Sequence, residues 1–445
     1  MMKDRLLIYN ARLVDRDKDI RKAAIFIQGN KIAGFPTKDA VAKMMDDPKI
    51  SKFDAKGHTV LPSFIDMHAH FRDPGLTQKE DIRTGCMAAA AGGFGTVVLM
   101  PNTNPVISSQ DMAVFNDNKG NDLGFCRVIQ SVSITKGFDG STISHLNKLN
   151  NKIVPLITED GHEVASSAVM LNAMKIAKEK KIIVSCHCED PDLAEEARAL
   201  RKKALSILNK RKLAREDKAM AKKILRQAHE ILAVAEDTAT FRNIRLAQEA
   251  KVHLHVCHVS TEQCLDAIKQ AKKNGQNITC EVTPHHLALS SQKGDNNFQI
   301  VNPPLRPESD RLAVIEALMD GTADVIATDH APHTENDKKS GSPGFSGLET
   351  AFAACYTTLC LENGMSLRKL SEKMSARPAE ILGLKDSGLL EEGMNADLTI
   401  VDTDKIWKVH GENFASKGKY TPLEGKKLTG EIVATFYNGK IVFQA

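Results

Sequence analysis

The nine cysteines of this 445-residue chain include no Cys-x-x-Cys pair, and their number is odd. That pattern argues against a disulfide framework and for reduced thiols. Long apolar runs are missing too. No stretch reaches the length of a membrane span, and the opening "MMKDRLLIYNARLVD" lacks the apolar core of a signal peptide. A soluble, cytoplasmic protein is the expectation. Charge of one sign is scarce as well: a net charge of +4 is too small to imply nucleic acid or a membrane surface as partner. Internal repeats and low-complexity tracts are absent. What remains is ordinary globular chain, 42% apolar and 26% charged, long enough for a large α/β domain with an accessory piece.

Both ends of the chain read as short strands joined by turns. "RLLIYNARLVD" and "AAIFIQGNKIAGF" stand near the start, "ADLTIVDTD" and "GEIVATFYNGKIVFQ" near the end. Asn438-Gly439, between two β-rich runs, is a hairpin signal. Between the ends lie eight apolar runs with helical stretches in the gaps: "VLPSFIDMHAH", "GTVVLMPN", "FCRVIQSVSI", "IVPLITEDG", "KIIVSCHCED", "VHLHVCHVS", "NITCEVTPHH" and "DVIATDHAPH". Eight strand–helix units predict a closed (β/α)₈ barrel over residues 61–389. Residues 1–60 and 390–445 would then join in a small β-sandwich domain. An open doubly wound sheet is the alternative. One segment stands out: residues 198–226 are rich in Lys and Arg, and apolar residues at 213, 220, 224 and 231 fit one face of a single long helix. A solvated helical face is favoured there over a polyanion contact.

Unusual polar residues gather at the C-terminal ends of the eight runs, where barrel enzymes keep their active sites. His68 and His70 are two apart on a strand and share a face, with Asp66 and, if the extended geometry continues, Arg72. The fourth run ends in Glu159-Asp160-Gly161, the fifth in His187, the sixth in His258 and the eighth in Asp329. An HxH pair alone carries little information. Imidazoles and carboxylates at five strand ends suit Zn²⁺ or a similar divalent ion, and there are enough of them for two. Asp329 is also placed to act as general base and then acid. Arg72 can hold a carboxylate bidentately. Asn102 and Asn302 can pair with a planar amide or imide, and His333 is a further donor.

Taken together, "DMHAHFRDPG", "MPNTNP", "EDG", "CHCED", "HVCHVST", "EVTPHHL", "NPPLR", "ATDHAPH" and "GLLEEGMNADLTIVD" closely resemble the class I bacterial-type dihydroorotases of the amidohydrolase superfamily. That resemblance implies metal ligands at His68, His70, His187, His258 and Asp329, with Asp329 as proton shuttle. It implies that Arg72, Asn102 and His333 hold a substrate carboxylate and that Asn302 contacts a pyrimidine ring. Many superfamily members carry a carboxylated lysine after the fourth strand, and this chain has no lysine there. Asp160 is the expected bridging ligand, with Glu159 as rival. The basic segment is the clearest departure from the family pattern.

The resemblance thus implies a Zn²⁺ enzyme, with one or two ions, that interconverts N-carbamoyl-L-aspartate and L-dihydroorotate. A homodimer is expected, with aspartate transcarbamoylase as a possible partner. The alternatives are an allantoinase or hydantoinase and a non-catalytic scaffold for the transcarbamoylase.

Overall fold

The eight apolar runs form eight parallel strands in the computed structural model, which describes residues 5–210, 212–291 and 300–445. They are β1 (Phe64–Ala69), β2 (Phe94–Leu99), β3 (Arg127–Gln130, continued by Val132–Ser133), β4 (Leu156–Thr158), β5 (Ile183–Cys186), β6 (Leu254–Val256), β7 (Ile278–Val282) and β8 (Val325–Ile326). Each pairs in parallel with the next. The chain just beyond β8 returns to β1: a parallel bridge joins Ala69 to His330, and His70 N donates to His330 O at 2.8 Å. The sheet therefore closes into a barrel, which leaves no strand edge open.

Every residue of β1, β2 and β7 is buried. Strands covered on both faces need continuous apolar runs, which is why these segments lack a polar–apolar alternation. Ile65, Met67, Val98, Ile129, Leu156, Ile183 and Val325 come from strands all around the ring yet form one cluster. Such a cluster can only lie inside the barrel. Ala379 and Leu382 of the helix Arg377–Leu382 extend it and plug one end. Each such buried aliphatic side chain contributes about 1.5–3 kcal/mol. The polar strand tips are left to line the other end.

The two chain ends share an eight-stranded sheet. Thr59–Pro62 pairs in parallel with Arg5–Val14 on one side and antiparallel with Leu398–Lys408 on the other. The sheet folds over on itself: Phe53 and Phe436 meet edge-to-face with ring centroids 5.3 Å apart, beside Ile8, Ile25, Val60, Leu398 and Ile400. Asn438 and Gly439 adopt φ of 51° and 73° between Lys427–Tyr437 and Lys440–Gln444. Both central residues of that tight hairpin turn are left-handed, which asparagine and glycine tolerate.

The basic segment departs from the single helix expected. It forms a hairpin of α1 (Pro191–Leu208) and α2 (Arg215–Ala250), with the break at 209–214; Arg211 lies outside the described residues. Leu213 falls in the connection and Met220 is 54% exposed, so the face predicted from residues 213, 220, 224 and 231 is only partly right. The true seam is rich in alanine. Ala194, Ala197 and Ala204 of α1 pack on Ala221, Ile224, Leu225, Ala228 and Leu232 of α2. Lys202, Lys203, Lys218, Lys222, Lys223 and Arg226 point to solvent. Among the described residues, no helix is long and apolar enough to cross a membrane.

Candidate active site

The tips of β1, β4, β5, β6 and β8 converge. His70 Nε2 lies 3.0 Å from Asp329 Oδ1 and 3.4 Å from Asp160 Oδ2. His68 Nε2 lies 3.2 Å from Asp160 Oδ1 and 3.6 Å from Asp329 Oδ1. His187 Nδ1 and His258 Nε2 are 2.8 Å apart, and Asp160 Oδ1 is 3.6 Å from the first and 3.9 Å from the second. Asp160 thus touches all four imidazoles. Glu159 turns away, accepting from Thr135 N at 2.9 Å and bonding the Thr135 hydroxyl. His258 and Asp329 have φ of 33° and 48°. A left-handed backbone at a non-glycine residue costs about 1–3 kcal/mol and recurs at functional sites. Here it belongs to two of the residues that face Asp160 and His70.

The hydrogen bonds fix which nitrogens are free. His68 Nδ1 faces Glu281 Oε1 at 2.7 Å and His70 Nδ1 faces Asn102 Oδ1 at 2.9 Å. Oxygen acceptors there engage Nδ1 of each ring, so Nε2 of each is left to face the carboxylates. His68 Nε2 and Asp160 Oδ1 are buried without a hydrogen-bond partner. Burying such atoms unpaired is costly, and a cation between them removes the cost. The pocket draws positive charge: burial alone would lower the basicity of His68, yet Asp160 and Glu281 raise it well above the ordinary imidazole range. His68, His70 and Asp329 offer one set of ligand atoms within 4.8 Å of one another, and His68, Asp160 and His258 offer a second. Imidazole nitrogen and carboxylate oxygen are a donor set that fits a borderline divalent ion.

Glu281, inside β7, was not singled out from the sequence. It accepts from His68 Nδ1, from His255 Nε2 at 3.1 Å and from His258 N at 3.2 Å. Its only signal was an acid within the β-rich run "ITCEV". Carboxylates behind a ligating histidine fix its orientation and are worth about 10–100-fold in metal affinity. Glu281→Gln is therefore expected to weaken divalent metal binding by about that factor with the fold retained, as measured by competition with a chelating dye. Unchanged affinity would remove Glu281 from this role.

Asp66, expected beside His68 and His70, turns its carboxylate to other partners. It accepts from Thr328 N at 2.9 Å, from the Thr328 hydroxyl and from His68 N at 3.2 Å, tying β1 to the chain beyond β8. Burial pushes its carboxyl up to about 7. The extended geometry also stops before Arg72, which adopts φ 59° just ahead of Asp73-Pro74-Gly75. Arg72 is half-buried, and its Nη2 lies 3.3 Å from His333 Nε2. His333 Nε2 also sits 2.8 Å from Pro343 O, an acceptor, so Nε2 carries the proton and the approach of Arg72 is a packing contact. Burial, then the charges of Arg72 and Lys79, lower His333 to about 2 and keep it neutral.

Asn102 joins the cluster directly: its Oδ1 faces His70, and its Nδ2 donates to Asp160 Oδ2 at 3.3 Å. Asn302 lies on the loop after β7, where its Oδ1 accepts from Arg201 Nη1 of α1. No direct hydrogen bond joins Asn302 to the cluster among the described residues. The structure thus gathers His68, His70, Asn102, Asp160, His187, His258 and Asp329 in one place, sets Arg72 and His333 together, and holds Asn302 on a separate loop.

Residues 59–442 match the model of the amidohydrolase family. A dihydroorotase of Clostridium botulinum (strain Eklund 17B / Type B) is 40% identical over 443 residues, covering 99% of each chain. One from Caldanaerobacter subterraneus subsp. tengcongensis is 38% identical, covering 99% of this chain and 97% of its own. Among solved structures, the L-hydantoinase (dihydropyrimidinase) of Arthrobacter aurescens superposes with a TM-score of 0.85 at 23% identity, over 99% of this chain and 96% of that one. The dihydropyrimidinase of Brevibacillus agri gives 0.81 at 20% identity, over 99% and 95%. At these identities the solved structures speak for the fold, a barrel with a β-sandwich. Full-length kinship at 38–40% identity is a closer tie, and on it the chain belongs to the amidohydrolase family and, within it, to the dihydroorotases.

Proposed function

We propose that this protein catalyses the reversible cyclisation of N-carbamoyl-L-aspartate to L-dihydroorotate, and that His68, His70, Asp160, His187, His258 and Asp329 would hold one or two Zn²⁺ ions. The observation that carries the reading is the half-buried Arg72, paired with neutral His333 at the edge of a buried imidazole–carboxylate cluster. A guanidinium there selects a substrate bearing a carboxylate, as both of these molecules do. Bound Zn²⁺ would supply polarisation of the ring carbonyl and a water made nucleophilic near neutral pH.

The chain's own groups do the rest. Arg72 anchors the carboxylate and fixes which ring bond faces Asp329. Burial opposes ionisation of Asp329, but the hydrogen bond of His70 and the charges of His68, His70 and His258 hold its carboxyl below the ordinary range. It is therefore an acceptor, ready to take the proton of the attacking water. As the carbon–nitrogen bond breaks, Asp329 delivers that proton to the departing ring nitrogen. Ring closure runs these steps backwards. The test is a side-by-side assay of dihydroorotate, allantoin and hydantoin with zinc-loaded protein. Turnover of dihydroorotate at the highest kcat/KM supports the reading; preference for either uncharged ring removes it. On the same reading the enzyme is cytoplasmic and dimeric. Light scattering alone and with aspartate transcarbamoylase tests the assembly.

A further inference from the structure

One arginine of the basic hairpin breaks the pattern of its neighbours. Arg201 is 8% exposed, facing inward from α1 while Lys202 and Lys203 point to solvent. Its guanidinium donates through Nη1 to Asn302 Oδ1 and through Nη2 to Val301 O at 3.3 Å. The second helix of the hairpin grips the other end of the same loop. Arg306 donates to His229 O at 3.0 Å, to Leu232 O at 3.1 Å and to Glu236 Oε2 at 2.7 Å, all on α2. From the loop that carries His333, Lys338 Nζ and Gly344 N both reach Ile300 O, at 3.2 and 2.9 Å. The loop at 300–306 is thus anchored at both ends, and its one oriented side-chain amide is oriented by Arg201.

The chemistry of that contact has a direction. A guanidinium carries donors and no acceptor, so the Asn302 atom it holds is the oxygen. The Asn302 amide is left with its two N–H donors facing elsewhere. We propose that Arg201 is a positioning residue that makes Asn302 a hydrogen-bond donor to the substrate, so that this corner of the site recognises a ring carbonyl and rejects a ring N–H. The helical hairpin is then part of substrate recognition. The proposal rests on the reading above and on the ring contact that the family resemblance implies for Asn302. It adds which polar atom of that ring Asn302 meets and which residue decides it.

Asn302→Asp is the decisive variant. It keeps a partner for Arg201, so its melting temperature is expected to match the wild type, but it offers acceptors where the amide offered donors. KM for dihydroorotate is expected to rise about tenfold or more, with kcat within about threefold. Arg201→Ala, which frees the amide to turn, is expected to raise KM by a similar factor, and Arg201→Lys by less. Zinc content is unchanged in all three. The double variant Arg201→Ala/Asn302→Ala is expected to be no worse than Asn302→Ala, because one residue acts through the other. Lys203→Ala, exposed on the same helix, serves as the control. An unmoved KM in Asn302→Asp, additive effects in the double variant, or loss of zinc alongside the rise in KM would each overturn the proposal. Should the wild type turn over hydantoin or allantoin in place of dihydroorotate, the earlier reading falls. The same KM series on that substrate still decides this proposal, since each offers ring carbonyls.

Discussion

Asp329→Asn is expected to lower kcat for dihydroorotate by about a thousandfold, within the span of about 10²–10⁴ that a positioned acid–base group supplies, with KM changed little. The substitution is chosen for its geometry. Asp329 sits at φ 48°, a conformation that asparagine tolerates and alanine does not. The amide keeps an oxygen to face His70 Nε2, which the native carboxylate approaches to 3.0 Å. The exchange removes the capacity to take and return a proton, and because Asp329 also faces His68 and His70 the metal content is measured beside the kinetics. Arg72, the proposed carboxylate anchor, is untouched, so KM should hold. Steady-state kinetics paired with elemental analysis checks the result. A variant that retains its metal and more than about a tenth of wild-type kcat would exclude Asp329 as the proton carrier, since the loss would fall short of that span.

The second large effect concerns the carboxylate at the centre of the cluster. Asp160→Asn is expected to weaken metal binding by more than about a hundredfold, since even groups one layer behind the ligands are worth 10–100-fold. Activity should fall with the metal. Among the described residues, Asp160 is the one acid within 4 Å of His68, His70, His187 and His258 together. Replacing it by a neutral amide removes the charge that offsets a divalent ion in a buried pocket. Glu159→Gln is the matched control, because that carboxylate is bonded to Thr135. Metal content after gel filtration should drop for Asp160→Asn and hold for Glu159→Gln. Melting temperature should follow, because an ion that binds only the native state stabilises it. The reverse pattern would transfer the bridging role to Glu159.

The barrel was legible because its strands are buried on both faces. That requirement writes long apolar runs into the chain, and each run ends where polar tips begin. The histidines and acids at those tips were legible for the same reason. Other features depend on neighbours that a sequence does not display. Glu281 matters because His68 from β1 and His255 and the His258 backbone from β6 and its tip surround it. Asp66 has the right parity to join His68, yet Thr328 from across the barrel seam claims its carboxylate. The turn that splits the basic segment contains neither glycine nor proline, so nothing local announces it. Arg201 is one cation in a run of cations, and only its burial sets it apart.

The bridge between Ala69 and His330 has a consequence for how the protein comes into being. His70 and Asp329 are 259 positions apart in the chain, and they become neighbours only when the first and last strands of the ring meet. A chain emerging from its N-terminus carries His68 and His70 long before Asp329 exists. The proposed ligand set is therefore complete only where the first and last strands meet, a long-range contact with its own loop-closure cost. An ion held across that seam acts as a clasp on the finished barrel, and retained metal becomes a certificate that the ring has shut.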